Sequence, residues 1–249
     1  KEISSKYRVR VILRQKPKKL VKGVEYRIGD LNDKDFILTS LENILIVIHL
    51  AAETRSSNKM LIRKSNQQLT SNLLECMTSK KIKGLYFTST ILCQKNLSNY
   101  SQSKTDCERI IDKFTFSYYQ SFRIPPLIND LNSCKGNFTL NKIKDIFSSF
   151  KIIPIPINVK ISYLTISDLI SHIFLFIDHV IQNKKINSSS INFYIKKKSL
   201  KEICKNNLFY FHFPFLKMII KLILFTLKLF RFDMSPTIET LYLIFNIKV

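Results

Sequence analysis

Glycine is scarce in this chain and tryptophan is absent: of 249 residues, 4 are glycine and none is tryptophan. So little glycine excludes collagen-like and glycine-linker architectures. Five cysteines are present, Cys76, Cys93, Cys107, Cys134 and Cys204. They are odd in number, widely spaced and never arranged C-x-x-C, so neither a zinc site nor a disulfide framework is expected. Reduced thiols in a cytoplasmic protein are the plain reading, with no metal. The N-terminal residues are charged and hold no apolar stretch of the kind a signal peptide needs. Acidic residues are few as well, 18 against 40 lysines and arginines, for a net charge of +22. Such a charge fits a nucleic acid or an anionic membrane surface. It is spread along the chain rather than gathered in a stripe, and Lys, Ile, Asn and Ser dominate throughout. Compositional drift is therefore the reading taken, and no nucleic-acid partner is expected.

The residues that are present point to a globular fold. A hydrophobic content of 45% places the chain outside the disordered class. Its length suits one large domain or two intimate ones. The most apolar segment, Leu208 to Phe232, is long enough to span a bilayer but is interrupted by Lys217, Lys221 and Lys228, with Pro214 near its start. Those lysines share one helix face, which predicts an amphipathic helix. Its apolar face would lie on protein, with membrane-surface association the less favoured alternative.

Short apolar runs alternate with helical stretches over the first two thirds. Strands are expected at Arg8–Arg14, Val24–Ile28, Ile44–Ile48, Gly84–Thr88 and Tyr118–Arg123. Helices are expected at Asp33–Asn43, with Asp33 as the N-cap, and at Asn66–Met77, Tyr100–Phe114 and Ser167–Ile181. The unbroken run Ile44–Ile48 reads as a strand buried on both faces. This alternation predicts an α/β, Rossmann-like, doubly wound parallel sheet. Beyond Pro125-Pro126 prolines recur, and a smaller C-terminal substrate lobe is expected. The division is residues 1–125, dinucleotide-binding, and 126–249, mainly substrate-binding with some returning sheet elements. Asn183–Ser190 reads as a polar loop.

Four features follow one another at or just after strand ends: Gly29-Asp30-Leu31, Ile48-His49-Leu50-Ala51-Ala52, Phe87-Thr88-Ser89-Thr90, and Tyr100-Ser-Gln-Ser-Lys104. In open parallel sheets ligands bind outside the carboxyl ends of strands. Tyr100 and Lys104 lie four apart on a helix and share a face. A neighbouring ammonium favours the phenolate, and a tyrosine so activated can take a proton from a sugar hydroxyl. Thr90 could hydrogen-bond the same hydroxyl. Alone, each piece has a plainer reading: a solvated helix face for Tyr-x-x-x-Lys, a turn for Thr88–Thr90, a strand terminator for Gly29-Asp30, and packing for His49. The order and spacing of the set carry the signal.

The run VRVILR, GVEYRIGDLND, IVIHLAAET, RKSNQQLTSNLLE, GLYFTSTILC, NYSQSKTDCE, FRIPPLI and YLTISDL resembles the NAD-dependent epimerase/dehydratase proteins, the extended short-chain dehydrogenase/reductase family. The resemblance covers about residues 6 to 182. Within the family it is nearest to bacterial nucleotide-sugar 4-epimerases and 4-keto-sugar reductases of polysaccharide biosynthesis, with Arg63–Asn66, Arg123–Leu127 and Lys135–Phe138 pointing to that branch. It implies Thr90, Tyr100 and Lys104 as the catalytic set, with Lys104 also on the nicotinamide ribose. It implies Asp30 and Leu31 near adenine, Ala51 and Ala52 along the cofactor, and Asn66 and Ser89 close to it. Asp168 falls in a segment that is structural rather than catalytic. Arg14 stands where an acid would grip the NAD ribose, so NAD or NADP is expected as cofactor. A nucleotide-sugar substrate and a homodimer are also implied.

Departures accompany the resemblance. The family's first strand and G-x-x-G-x-x-G turn have no counterpart here, so roughly one βα unit is expected to be missing, leaving unpaired edges in the sheet. Leu69 and Ile128-Asn129 stand where the family has glycines. Three functions are compatible with the sequence: an NAD(P)-dependent enzyme on a nucleotide sugar, or a fragment of one; a degenerate non-catalytic relative; and a basic protein binding nucleic acid or membrane, which predicts clustered charge that the sequence does not show.

Overall fold

The computed structural model describes residues 1–53, 59–93, 98–128, 152–153, 160–184, 190–192, 196–199, 209–210, 218 and 222. The chain forms two compact units. The first comprises Lys1–Ser89, Ser103–Phe122 and Ile170–Ile191, and the second Thr90–Gln102, Arg123–Leu169 and Asn192–Val249.

In the first unit β1 (Val9–Leu13) and β2 (Val24–Ile28) pair in parallel, Val9 opposite Val24 and Leu13 opposite Ile28. The ladder runs on as Gly29 N–H donates to Leu13 O at 2.9 Å. Helix α1 (Lys34–Ser40) starts where expected, because the Asp33 carboxylate accepts from Asp35 N–H and Phe36 N–H and so satisfies two first-turn donors. Asn43, at φ 60°, then turns the chain into β3 (Ile46–His49). Helix α2 (Lys59–Ser79) is longer than the periodicity predicts and starts ahead of Asn66. It leads to β4 (Gly84–Thr90), parallel to β3 with Ile46 opposite Gly84. Helix α3 (Asn99–Ile111), β5 (Tyr118–Ile124) and helix α4 (Ile166–Ile181) follow at or near their expected positions.

The sheet alternation of β4 explains its burial. Leu85 and Phe87 point to one face, into a core with Ile37, Leu73, Leu74, Met77 and Tyr119. Gly84 and Tyr86 point to the other, toward α4. A methyl group on Gly84 would lie 3.2 Å from Val180, and Tyr86 packs edge-on against Phe176 at 5.4 Å between centroids. Helices thus cover both faces of this strand, as in a doubly wound sheet. Tyr86, Phe87 and Leu85 are fully buried, and each such side chain contributes about 1.5–3 kcal/mol by leaving water.

The pairing is split in two. Strands β1 and β2 form one sheet, and β3, β4, β5 and β9 (Ser190–Asn192) form another in the order β3-β4-β5-β9. Strand β3 is only half-buried over Ile46, Val47 and Ile48, which corrects the expectation of burial on both faces. The reason is that one edge of β3 has no strand beside it among the described residues, whereas β4 is flanked on both sides.

The second unit holds β8 (Lys160–Thr165) between β10 (Lys196–Ser199), antiparallel to it, and β6 (Leu127–Ile128), parallel to it. A short parallel pair joins β7 (Ile152–Ile153) and β11 (Phe209–Tyr210). Asp168 accepts from the Thr165 hydroxyl at 2.6 Å while its own N–H donates back to that hydroxyl at 3.1 Å, a reciprocal cap on α4. The helix expected at Leu208–Phe232 and the stretch Lys135–Phe138 lie outside the described residues, apart from 209–210, 218 and 222. Among the described residues no helix is long and apolar enough to cross a membrane.

Candidate functional site

In the first unit the carboxyl ends of β3 and β4 are tied together by side chains. Thr88 hydroxyl donates to His49 O at 3.2 Å, and Lys104 Nζ donates to Thr88 O at 2.9 Å. Lys104 is 2% exposed, and its ammonium also lies 4.6 Å from the centre of the Phe87 ring. A buried cation persists only when hydrogen-bonded or set against π-density, and here it has both. Ser89, next along β4, is buried too.

His49 packs, as the sequence predicts. It is buried, stacks obliquely on Phe87 at 5.3 Å, and lies 3.2 Å from the Thr70 hydroxyl. That hydroxyl donates onward to Cys107 Sγ, so it accepts from the imidazole N–H. Burial, reinforced by the Lys104 charge, pushes the imidazole down to about 3.

Asn66 is engaged on both sides of its amide. Its Oδ1 accepts from Glu53 N–H at 2.6 Å, and its Nδ2 donates to Glu53 O at 3.0 Å and to Ser103 Oγ at 2.9 Å. It therefore fixes the loop that leaves β3 against the residue preceding Lys104. This clamp and the buried Glu108, which accepts from Ser121 Oγ at 3.4 Å, are absent from the sequence-based site. The partners of Asn66 include a backbone amide and carbonyl, which leave no compositional trace.

Asp30, at the end of β2, is exposed, and hydrogen bonds from Asn32 backbone and side chain hold its carboxyl below the usual range. Leu31 is half-buried and joins the core from its edge. Ala51 is exposed and Ala52 half-buried, on the segment between β3 and the clamped Glu53. Arg14, past the end of β1, pairs with Glu53 at 3.8 Å. A cleft of about 800 Å³, lined by Arg14, Glu53, Lys64 and Gln68 among others, opens beside these strand ends and does not take in Asp30 or Lys104.

The second unit carries Thr90 and Tyr100. Thr90 closes β4, and its hydroxyl accepts from Leu92 N–H at 3.3 Å. Ser98 and Ser101 exchange hydrogen bonds, Ser101 N–H donating to Ser98 Oγ at 3.0 Å and Ser98 N–H to Ser101 Oγ at 2.9 Å. This fixes the first turn of α3, where Tyr100 sits half-buried, one turn before Lys104.

These groups suit parts of a nicotinamide dinucleotide. An exposed carboxylate at a strand end can accept from an adenine amine, and an ammonium can donate to the hydroxyls of a nicotinamide ribose. No glycine-rich turn for the pyrophosphate exists among the 249 residues.

No protein-family model and no curated protein sequence matches the chain. Solved structures do match. UDP-N-acetylglucosamine 4-epimerase from Bacillus cereus superposes with a TM-score of 0.62 at 19% identity, over 82% of this chain and 76% of that one. The Bordetella bronchiseptica enzyme WbmG, in complex with NAD and UDP, gives a TM-score of 0.65 at 15% identity, over 80% and 69%. MoeE5, in complex with UDP-glucuronic acid and NAD, gives 0.63 at 16%, over 80% and 72%. The chain has the Rossmann-like α/β fold of these enzymes, with no strand between β1 and β3 among the described residues.

Proposed function

We propose that the chain is, or derives from, an NAD(P)-dependent enzyme acting on a nucleotide sugar, as an epimerase, dehydratase or reductase. One observation carries this reading: Tyr100 and Lys104 sit one turn apart on α3, which follows the carboxyl end of β4. The fold it shares with enzymes solved with NAD and with UDP or UDP-glucuronic acid supports it.

In this reading Tyr100 Oη takes the proton of a sugar hydroxyl, and Lys104 favours the phenolate that does so. The Thr90 hydroxyl orients the same sugar oxygen. Asp30, Leu31, Ala51, Ala52, Asn66 and Ser89 line the cofactor, with Arg14 at its ribose. When bound, the nicotinamide supplies the hydride chemistry. The protein would act as a homodimer in the cytoplasm.

A second reading, a non-catalytic relative, is favoured by Leu69 and Ile128-Asn129, which stand where the family has glycines. Titrating the purified chain with NAD, NADP and UDP while recording its thermal midpoint separates the two. A saturable rise with a dinucleotide, and a sugar-converting activity abolished in Tyr100→Phe, support the enzyme. No shift with either dinucleotide leaves the non-catalytic reading.

A further inference from the structure

In sequence the lysines are dispersed, and the fold gathers several of them at one end of the first unit. In an alternating α/β unit each helix runs back against the strands and ends where the next strand begins. Backbone bonds set the strand entries level with one another. Leu45 O, just ahead of β3, accepts from Lys83 N–H at 3.1 Å and Gly84 N–H at 3.3 Å, and Lys83 O accepts from Tyr118 N–H at 3.1 Å at the entry to β5. A methyl group on Gly84 would lie 3.2 Å from Val180, which sets the last turn of α4 beside the entry to β4. Arg10 Nη1 donates to Ser40 O and Glu42 O at 2.8 Å each, so β1 enters level with β3. Its parallel partner β2 follows a turn at Val21–Val24, where Val24 N–H donates to Val21 O at 3.3 Å and Val21 N–H to Tyr26 Oη at 3.0 Å.

This end carries Lys22 ahead of β2, Lys80, Lys81 and Lys83 between α2 and β4, Lys113 between α3 and β5, and Lys184 after α4, all of them exposed. Glu42 meets Lys80 at 3.7 Å, Asp112 adjoins Lys113 in sequence, and Glu25 is already matched by Arg10 and Arg27 at 2.9 Å each. Six lysines against Glu42 and Asp112 leave an excess of four positive charges. The ends of α2, α3 and α4 each place about half a negative charge here, which takes up less than half of that excess. At the carboxyl ends of the strands signs are mixed, Asp30, Asp33 and Glu53 standing with Arg14, Lys34 and Lys64. Leu20 and Ile181, 53% and 48% exposed, stand among the lysines, close in sequence to Lys22 and Lys184. Single exposed aliphatic residues are ordinary; these two are set apart by their place in a basic face.

We propose that this amino-end face docks on a bilayer surface rich in anionic phospholipid, with Leu20 and Ile181 entering the head-group layer and the carboxyl ends of the strands turned away from it. Charge complementarity selects the lipid phosphates, each lysine close to an anionic leaflet strengthening binding about fivefold. The apolar side chains supply the second contribution that interfacial binding draws on, by leaving water for the head-group boundary. Nucleic acid is a poorer match. An aliphatic side chain gains nothing against phosphates, and the rings at the entry to β5 are not offered to bases: Phe114 and Phe116 pack against the core, and Tyr118 Oη donates to Asn183 Oδ1 at 3.3 Å. The proposal does not depend on the enzymatic reading above.

The test uses the full chain and vesicles of phosphatidylcholine alone or with about one third phosphatidylglycerol, sedimented at about 0.1 M salt. The chain should pellet with the anionic vesicles and stay in solution with the neutral ones. Lys83→Gln with Lys184→Gln should lower the partition coefficient about twentyfold, whereas Lys34→Gln with Lys64→Gln, an equal loss of charge at the other end, should change it about twofold or less. Because the chain contains no tryptophan, Ile181→Trp gives a single emission reporter on the docking face, and Leu61→Trp gives one beside the cleft at the carboxyl ends. On anionic vesicles with brominated acyl chains the first should shift to the blue and be quenched, and the second should do neither. No pelleting with anionic vesicles, equal losses from the two lysine pairs, or quenching of Leu61→Trp as strong as that of Ile181→Trp would each overturn the proposal. Retention on duplex DNA in place of vesicle binding would overturn it as well.

Discussion

Lys104 Nζ donates to the carbonyl oxygen of Thr88 at 2.9 Å, so a charged side chain from α3 is tied to the backbone of β4. Lys104→Met keeps the aliphatic stem and leaves that buried carbonyl without its ammonium. An orphaned buried acceptor costs roughly 1–3 kcal/mol. Relief of the buried charge offsets part of this, which puts the expected loss near the lower end, about 1 kcal/mol. Lys104→Ala adds a cavity and should lose more. Urea unfolding of the three proteins measures both steps; a Met variant as stable as the parent would mean that the hydrogen bond contributes nothing.

Gly29 is required by packing rather than by its backbone angles. A methyl group there would lie 2.6 Å from the Phe36 ring, far inside contact distance. Gly29→Ala should therefore cost about 1–3 kcal/mol through overpacking. Phe36→Leu shortens the offending ring, so the double variant should recover part of that loss. A double-mutant cycle on unfolding free energies reads the coupling, and strictly additive losses would contradict the contact.

The sequence made strand and helix positions legible wherever local chemistry set them. Val24–Ile28 alternates and ends at glycine, and Asp33 caps α1 through hydrogen bonds spanning only two and three residues. The bond between Asp168 and Thr165 is local in the same way, spanning three residues. Properties set by distant groups were not readable. The burial of β3 depends on whether a strand lies beside it, and composition at Ile44–Ile48 is the same in either case. The full length of α2 was hidden because Met60 and Leu61 face outward and break the apolar rhythm at its start. At the site, the Tyr-x-x-x-Lys spacing was visible, but the ties from Lys104 to Thr88 and from Asn66 to Glu53 join residues 16 and 13 apart.

His49 makes folding sensitive to acid. Unfolded, its imidazole titrates near 6.5; folded, burial first and the Lys104 charge second lower it to about 3. The folded state thus binds fewer protons between these values. The stability gained from keeping this histidine neutral is complete above pH 6.5 and is lost as pH falls toward about 3. The slope is at most about 1.4 kcal/mol per pH unit. His49→Gln retains an N–H for Thr70 and removes the titration. Urea unfolding at pH 7, 6, 5 and 4 should show the variant losing less stability on acidification than the parent. Parallel curves would mean that His49 charges without unfolding anything.

Asn66 should behave as a single unit with Glu53 and Ser103. Its amide accepts once, from a backbone N–H, and donates twice, to a backbone carbonyl and a hydroxyl. Asn66→Ala removes these three hydrogen bonds at once, and such a loss falls at about 2–4 kcal/mol. Ser103→Ala removes one of these three bonds and should cost less, about 1 kcal/mol. Because the two residues share that bond, the double variant should lose less than the sum, by about 0.5 kcal/mol or more. Asn66→Asp separates the two faces of the clamp: the carboxylate still accepts from Glu53 N–H but meets the Glu53 carbonyl with a negative charge and no donor. It should be less stable than Asn66→Ala at neutral pH and recover on acidification, when the protonated acid can donate. Exchange of the Glu53 amide reports the clamp directly, and a Glu53 N–H as slow in Asn66→Ala as in the parent would show that another group holds the loop leaving β3.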